Sequence, residues 1–324
     1  MKTGIYIGLP ENEYHEQRDW LGSTDLKALY EDPVEWQWRR LNEPREDTRA
    51  LVWGQALHKR ALEGHDAAME WLRAHPEKLR LLLSGPEMTD ALTRIGVKDN
   101  IPRNLDERAM VLASSARFDD ILPDIAKAVE WMHADPTISA VMGDGHQFMG
   151  GLPEVSVFAR INGVPRKARF DWLAPHAIFD LKSFSLQLTS NPHRAAIKAI
   201  ANLRYDIQAA AYIEAWHAAK KLLKRGLVHG GTKEQREFLA ECFKRRAPLW
   251  VWIFVKSQGA PQPLVLTMKS GGEVVRQARA AVHKACENYR TFSETFGIDK
   301  EWHPRHAPME VTHDVLPAWM GYNE

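Results

Sequence analysis

Residues 152–183 read LPEVSVFARINGVPRKARFDWLAPHAIFDLKS. Apolar and polar side chains alternate with a period of two over three short runs, and turn residues separate the runs. The pattern predicts strands over 152–161, 166–174 and 177–183. Asn162-Gly163 joins the first two as a hairpin turn, because both residues tolerate a left-handed backbone. Residues i and i+2 of a strand share a face. Glu154 then lies with Ser156, Arg169 with Asp171, and Asp180 with Lys182. Val155 and Val157, Phe170 and Trp172, and Phe179 and Leu181 take the opposite faces. Three neighbouring strands would each present a carboxylate, and adjacency in one sheet would bring the three together.

Converging carboxylates repel one another unless a positive charge compensates them. A hard divalent cation does so; magnesium takes oxygen ligands in octahedral geometry and keeps several waters. Lys182 would sit beside it, orienting a water and offsetting the charge that develops when a phosphodiester is attacked. An Asp-x-Lys pair on a strand also occurs as a solvated salt bridge. Glu154 and Asp171 at matching strand positions favour the metal site.

Around this centre, the 324 residues suffice for one large domain or two ordinary ones. Net charge is +1, from 43 basic and 42 acidic residues, which excludes a uniformly basic surface but leaves room for a local basic groove. Two cysteines, Cys242 and Cys286, are too few for a disulfide framework or a four-cysteine metal site, so a reducing, cytoplasmic setting is expected. The N-terminal residues lack the apolar core of a signal peptide, and no run of about 18 apolar residues predicts a membrane span.

Residues 1–20 read as an irregular polar arm. Helices are expected over GSTDLKALYEDPVEWQWRR, over TRALVWGQALHKRALEG with Gly64 as its stop, and over most of 66–142, where LDERAMVLASSARF and LPDIAKAVEWMHAD are the clearest. Further helices are predicted over 193–224, 232–246 and 272–296, and strands over PLWVWIFVKS and PLVLTMK. The former is apolar on both faces, which argues a central, covered strand. The twelve tryptophans are expected mainly in packing. The whole is a mixed α/β architecture, read as a single domain over 1–324: a mainly helical part to 145, a sheet core over 146–270, and a C-terminal helix and tail. No Walker-type phosphate loop, helix-turn-helix or zinc finger is present.

The scattered motifs PE-x-S, ARFD and FDLKS resemble the core of the PD-(D/E)XK nucleases. Within that superfamily they are most similar to the RecE-type (exodeoxyribonuclease VIII-like) exonucleases of phages and prophages, and more distantly to lambda exonuclease and the RecB nuclease domain. WGQALHKRALEG resembles the upstream helix of these enzymes through Gly54 and His58, and YDIQAAAYIEA resembles their Gln-x-x-x-Tyr helix through Gln208 and Tyr212. The resemblance covers motifs between about residues 22 and 215. It implies a PD-(D/E)XK-type α/β core, a central mixed sheet flanked by helices, with a helical N-terminal region.

It also implies roles. Asp171 and Asp180 would be the main metal ligands, helped by the backbone carbonyl of Leu181. Lys182 would be catalytic, and Glu154 would bind or polarise a metal-bound water. His58 would ligate a second metal, and Gln208 and Tyr212 would contact the scissile region or the DNA backbone. Asp180 stands where the superfamily often has Glu. Two Mg²⁺ ions, replaceable by Mn²⁺, would serve the site.

The implied activity is 5′ to 3′ resection of duplex DNA ends by a ring-shaped homo-oligomer, leaving 3′ tails for a single-strand annealing recombinase. Phosphates would be gripped by basic residues near the ligands, with Arg166, Lys167 and Arg169 best placed. Rival readings are an endonuclease or a branch or single-strand repair nuclease on the same core, a DNA-end-binding module that does not cut, and a metal-free scaffold of ordinary salt bridges.

Overall fold

The computed structural model describes residues 1–43, 46–142, 150–184, 191–305, 310–312 and 315–316. Its centre is one seven-stranded mixed sheet. The strands are β1 (Gly4–Ile7), β2 (Leu152–Ile161), β3 (Val164–Leu173), β4 (Ala177–Phe184), β5 (Val228–Gly230), β6 (Leu249–Lys256) and β7 (Pro263–Lys269). Their order is β5-β1-β2-β3-β4-β6-β7. The β1/β5 and β4/β6 pairs are parallel and the others antiparallel. Asn162 and Gly163 close the β2–β3 hairpin with φ of 53° and 77°, the left-handed pair that its two-residue turn requires.

Each face of the sheet carries its own apolar core, and β6 feeds both. Trp250, Trp252 and Phe254 enter the core built with the helices Ser23–Glu31, Tyr205–Lys224 and Glu273–Phe296. Val251, Ile253 and Val255 enter the opposite core, built with Trp172, Phe179, Leu181 and the helices between Arg49 and Met142. The two-sided apolar pattern of this strand therefore reports burial on both faces. Trp216, Trp250 and Trp302 are among the largest fully buried side chains, in the packing role expected of them.

Four local readings are corrected. The N-terminal residues include β1, which lies between β2 and β5 with Ile5 completely buried. Four residues are too short to show periodicity, and pairing on both sides decides their structure. The strand β5 was likewise unmarked. The helix expected over 193–224 is two, Pro192–Asn202 and Tyr205–Lys224. Arg204, at φ 49°, turns the chain between them, and its guanidinium is bonded to Asp206 at 3.0 and 3.1 Å. Finally, the helix Arg49–His58 continues as a π-helical turn, Lys59–Glu63, before Gly64 ends it. Such turns recur at functional sites, and this one starts directly after His58.

Among the described residues no helix is long and apolar enough to cross a membrane. The sheet edge at β5 depends on Gly230. It has φ +69°, and a Cβ there would stand 2.3 Å from the backbone oxygen of Ile7. Gly230→Ala is expected to cost more than about 1 kcal/mol, seen as a lower urea midpoint; an unchanged midpoint would refute the close approach.

Candidate active site

β3 and β4 pair only through Trp172–Phe179 and Leu173–Ile178 and then part. In the opening, the Asp171 carboxylate accepts the Leu181 backbone N–H at 2.8 Å. A side chain thus replaces the ladder acceptor that β4 has lost. The side-chain alternation of both hairpin strands turns over at the same place. Leu152 and Val155 join one core although three apart, and so do Phe170 and Leu173. On β2 the inversion is made at Glu154, which has φ 53°. A left-handed non-glycine costs about 1–3 kcal/mol and persists where the surroundings hold it.

What holds Glu154 is an ion pair with Arg169, whose guanidinium also donates to Leu9 O at 2.9 Å. His58 stands at the end of its helix, which packs in the core with Trp172, Phe179 and Leu181. Its Nε2 is 2.9 Å from Leu181 O and 3.7 Å from Asp171 Oδ2, and its Nδ1 is 3.9 Å from Glu154 Oε1. His58, Glu154 and Asp171 each offer one ligand atom, all within 4.8 Å of one another. The Leu181 carbonyl faces the same point. Gly54 lies against β4: a Cβ there would meet Ser183 Oγ at 3.5 Å, an ordinary contact.

A second group adjoins the first. Asp180, 1% exposed, accepts from Gln208 Nε2 at 2.8 Å through Oδ1, and its Oδ2 is 2.6 Å from Lys182 Nζ. Asp180 therefore stands outside the three-residue cluster, as the partner of Lys182 and Gln208. Tyr212 packs edge-on against Phe170 and Trp250, each at 5.8 Å.

Electrostatics separate these groups. Burial disfavours the charged His58, but Asp171 and Glu154 outweigh it and raise its pKa to about 9. Burial also works against ionised Glu154; the His58 hydrogen bond and Arg169 outweigh that and bring it to about 2. Asp171 has no such cation pair of its own. Burial, reinforced by Asp180, lifts it to about 7 despite His58. Lys182 is half-buried, and although desolvation lowers it, Asp180 and Asp171 hold it well above the ordinary lysine range, so it stays an ammonium. Burial pushes the Tyr212 hydroxyl up to about 12, helped by Asp171 and Asp180.

The donor set of two carboxylates, one imidazole and one carbonyl suits a hard divalent cation such as Mg²⁺ or Mn²⁺. His58, Glu154, Asp171 and the Leu181 carbonyl would hold it.

The three cations expected to grip DNA are turned inward instead. Arg166, 3% exposed, pairs with Glu214 at 2.5 Å and donates to Ala211 O at 3.0 Å. Lys167 donates to Tyr14 O and Gln17 O at 2.9 and 3.0 Å. Arg169 serves Glu154 and Leu9, as described. Residues 9–17 cover Lys167 and Arg169, and the Tyr205–Lys224 helix covers Arg166, so the expected phosphate contact by these three is corrected.

Two site neighbours carried no sequence signal of their own weight. Lys27 Nζ is 5.0 Å, and Lys182 Nζ 5.1 Å, from the centroid of the Tyr205 ring, and Lys27 donates to Leu203 O at 2.9 Å. Burial and the nearby Lys182 lower Lys27 to about 8. Tyr205 could be suspected from its place one turn before Gln208. Lys27 reads as a solvated helix lysine until the Ser23–Glu31 helix is seen packed beside the site.

Fold and site together define a PD-(D/E)XK-type domain. Residues 27–225, well over half of the chain, match the model of a family described as a PDDEXK-like domain of unknown function (DUF3799), and the protein belongs to that family. A crystal structure from Eubacterium rectale described as a "Putative exonuclease" shares the fold, with a TM-score of 0.52 over 94% of this chain and 97% of that one at 13% sequence identity. No curated protein matches the chain.

Two outcomes follow from this geometry. Cation ligation requires Asp171 and His58 to be deprotonated. With values of about 7 and about 9, Mn²⁺ affinity measured by calorimetry should rise from pH 6 to 9, with protons released on binding; a flat profile would contradict the assignment. Arg166→Ala leaves Glu214 without its buried partner and should destabilise the fold by about 3 kcal/mol in chemical denaturation, whereas a purely DNA-contacting arginine would leave stability unchanged.

Proposed function

We propose that this protein is a divalent-metal-dependent DNA exonuclease of RecE type, hydrolysing phosphodiester bonds from duplex ends. The observation that carries the reading is the pairing of two groups. A carboxylate–imidazole–carbonyl cluster (His58, Glu154, Asp171, Leu181) lies beside a Lys182–Asp180–Gln208 relay, in a chain of the PDDEXK-like family. A cation held by the cluster supplies Lewis acidity to the phosphoryl group.

The rest is done by the chain itself. Lys182 remains charged and presents a fixed donor to a phosphate oxygen or an attacking water, where negative charge grows. Asp180 keeps the ammonium in place, and Gln208 fixes the Asp180 carboxylate through its other oxygen. Lys27 and Lys182, around the Tyr205 ring, make the approach to the site electropositive in a protein of near-zero net charge. Tyr212 supports the sheet beneath Asp171 through its contact with Phe170.

Action on ends, 5′ to 3′ polarity, an annealing recombinase as partner and a ring-shaped homo-oligomer are drawn from the RecE-type resemblance. The exonuclease description of the E. rectale structure agrees with the first of these. The 324 residues would then work as one nuclease domain.

End-labelled linear duplex should be degraded with Mg²⁺ or Mn²⁺, while covalently closed circular duplex of the same sequence should persist. Nicking or linearisation of the circle would replace the exonuclease reading with an endonuclease. Lys182→Ala should slow the linear reaction by about 10²–10³-fold without loss of the folded circular dichroism spectrum; wild-type rates in that variant would remove Lys182 from the chemistry.

A further inference from the structure

A second feature lies at the other end of the β2–β3 hairpin. A cavity of about 810 Å³ opens between the end of β2, the C-terminal half of the Tyr205–Lys224 helix and the Glu273–Phe296 helix. Its wall carries Arg160, Lys221, Arg225 and Arg279, and its floor is apolar, with Ile161, Leu222 and Leu227. Among the described residues Glu214 is the one carboxylate in the lining, and it is already engaged. It meets Arg166 at 2.5 Å through Oε2 and His283 at 3.0 Å through Oε1.

Among the described residues, none of the four wall cations pairs with a carboxylate, and the buried Nε of Arg279 has no hydrogen-bond partner. The polar contact of Arg160 is a 3.4 Å approach to Gly163 O. His217, also in the wall, is lowered by burial and then by Arg279, Lys220 and Lys221, which reports the positive field.

Helix-dipole placement accounts for cations at a helix C-terminus. It covers Lys221 and Arg225 but not Arg160, on a strand, or Arg279, in the first two turns of a different helix. In a chain with a net charge of +1, four cations without carboxylate partners around one concavity make its surface electropositive. The volume lies within the range of nucleotide-sized sites.

We propose that this cavity is a second phosphate-binding site, distinct from the metal cluster, formed by Arg160, Lys221, Arg225 and Arg279. Two rulers give its separation. Arg160 is six residues beyond Glu154 along β2, about 20 Å, and Lys221 is thirteen residues beyond Gln208 along one helix, again about 20 Å. On a duplex that corresponds to about six base pairs. The phosphates come either from the DNA backbone at that remove from the scissile bond or from a nucleotide. The choice of nucleic-acid probes rests on the nuclease reading; the anion site itself does not.

The test is equilibrium binding to the full chain with a metal chelator present, so that no cleavage occurs. The probes are a fluorescently labelled 20-base-pair duplex, dAMP and pyrophosphate. Wild type is compared with Lys221→Gln/Arg225→Gln, two exposed positions whose replacement leaves the packed core untouched. If the backbone is the source, the double variant binds duplex at least about tenfold more weakly, and the slope of log affinity against log salt falls by about two.

If a nucleotide is the source, wild type binds dAMP or pyrophosphate and the double variant loses at least about tenfold. Unchanged affinity for every probe in the double variant, or no binding of any probe by wild type, overturns the proposal. Cleavage is scored separately. A wild type that fails to cut with metal yet shows variant-sensitive binding refutes the nuclease reading and leaves this site standing.

Discussion

The hydrogen bond from the Leu181 amide to the Asp171 carboxylate is the constraint on which the site depends. Where β3 and β4 separate, the Leu181 N–H would otherwise be a buried donor without a partner, at a cost of about 1–3 kcal/mol. Asp171 meets it from the neighbouring strand. The strands can then stay apart, and the gap admits the imidazole of His58 to the carbonyl of the same residue. One backbone position so fixes an acid through its N–H and a histidine through its carbonyl. The turnover of both hairpin strands at Glu154 and Asp171 brings the second acid to the same point.

The charges around this gap are unequally satisfied, and the inequality gives the site its chemistry. Glu154 is held between Arg169 and His58, and Asp180 between Lys182 and Gln208. Asp171 shares His58 but has no dedicated cation, and burial, reinforced by Asp180, drives it upward to about 7. A divalent ion at this place would reverse that cost, since it favours the ionised form of every ligand. The left-handed Glu154 fits the same logic: local strain is tolerated because the Arg169 pair and the flanking Pro153–Trp172 and Val155–Phe170 pairs hold the residue.

Much of this was legible in the chain. The hairpin showed through Asn162-Gly163, and the neighbouring strands through their alternation, because both are signals of short range. The Asp-x-Lys step on β4 showed for the same reason, as did the two-faced apolar pattern of β6. His58 came only with the resemblance of its helix, since a histidine in an apolar helix is otherwise read as packing.

What stayed hidden depends on tertiary placement. Alternation assigns Arg169 to the face of Asp171, but it cannot say that residues 9–17 cover that face. The basic run Arg166-Lys167-Arg169 therefore looked solvent-facing when it is an internal anchor. β1 has four residues and gains its structure from two neighbours far away in sequence. From the sequence, Asp180 is expected as a ligand beside Asp171. The strands part beyond Trp172 and Phe179, and Asp180, just past that point, is bonded to Gln208 and Lys182. Lys27 becomes part of the site only through the packing of its helix.

The central claim is that His58, Glu154 and Asp171 share one cation with the Leu181 carbonyl. Crystals grown with Mn²⁺, with anomalous data collected at the manganese edge, test it most directly. The account predicts a peak at about 2.0–2.4 Å from Asp171, Glu154, the Leu181 carbonyl and a His58 ring nitrogen. An absence of anomalous density there, with the three side chains still bonded to one another and the ion found elsewhere or nowhere, would contradict it.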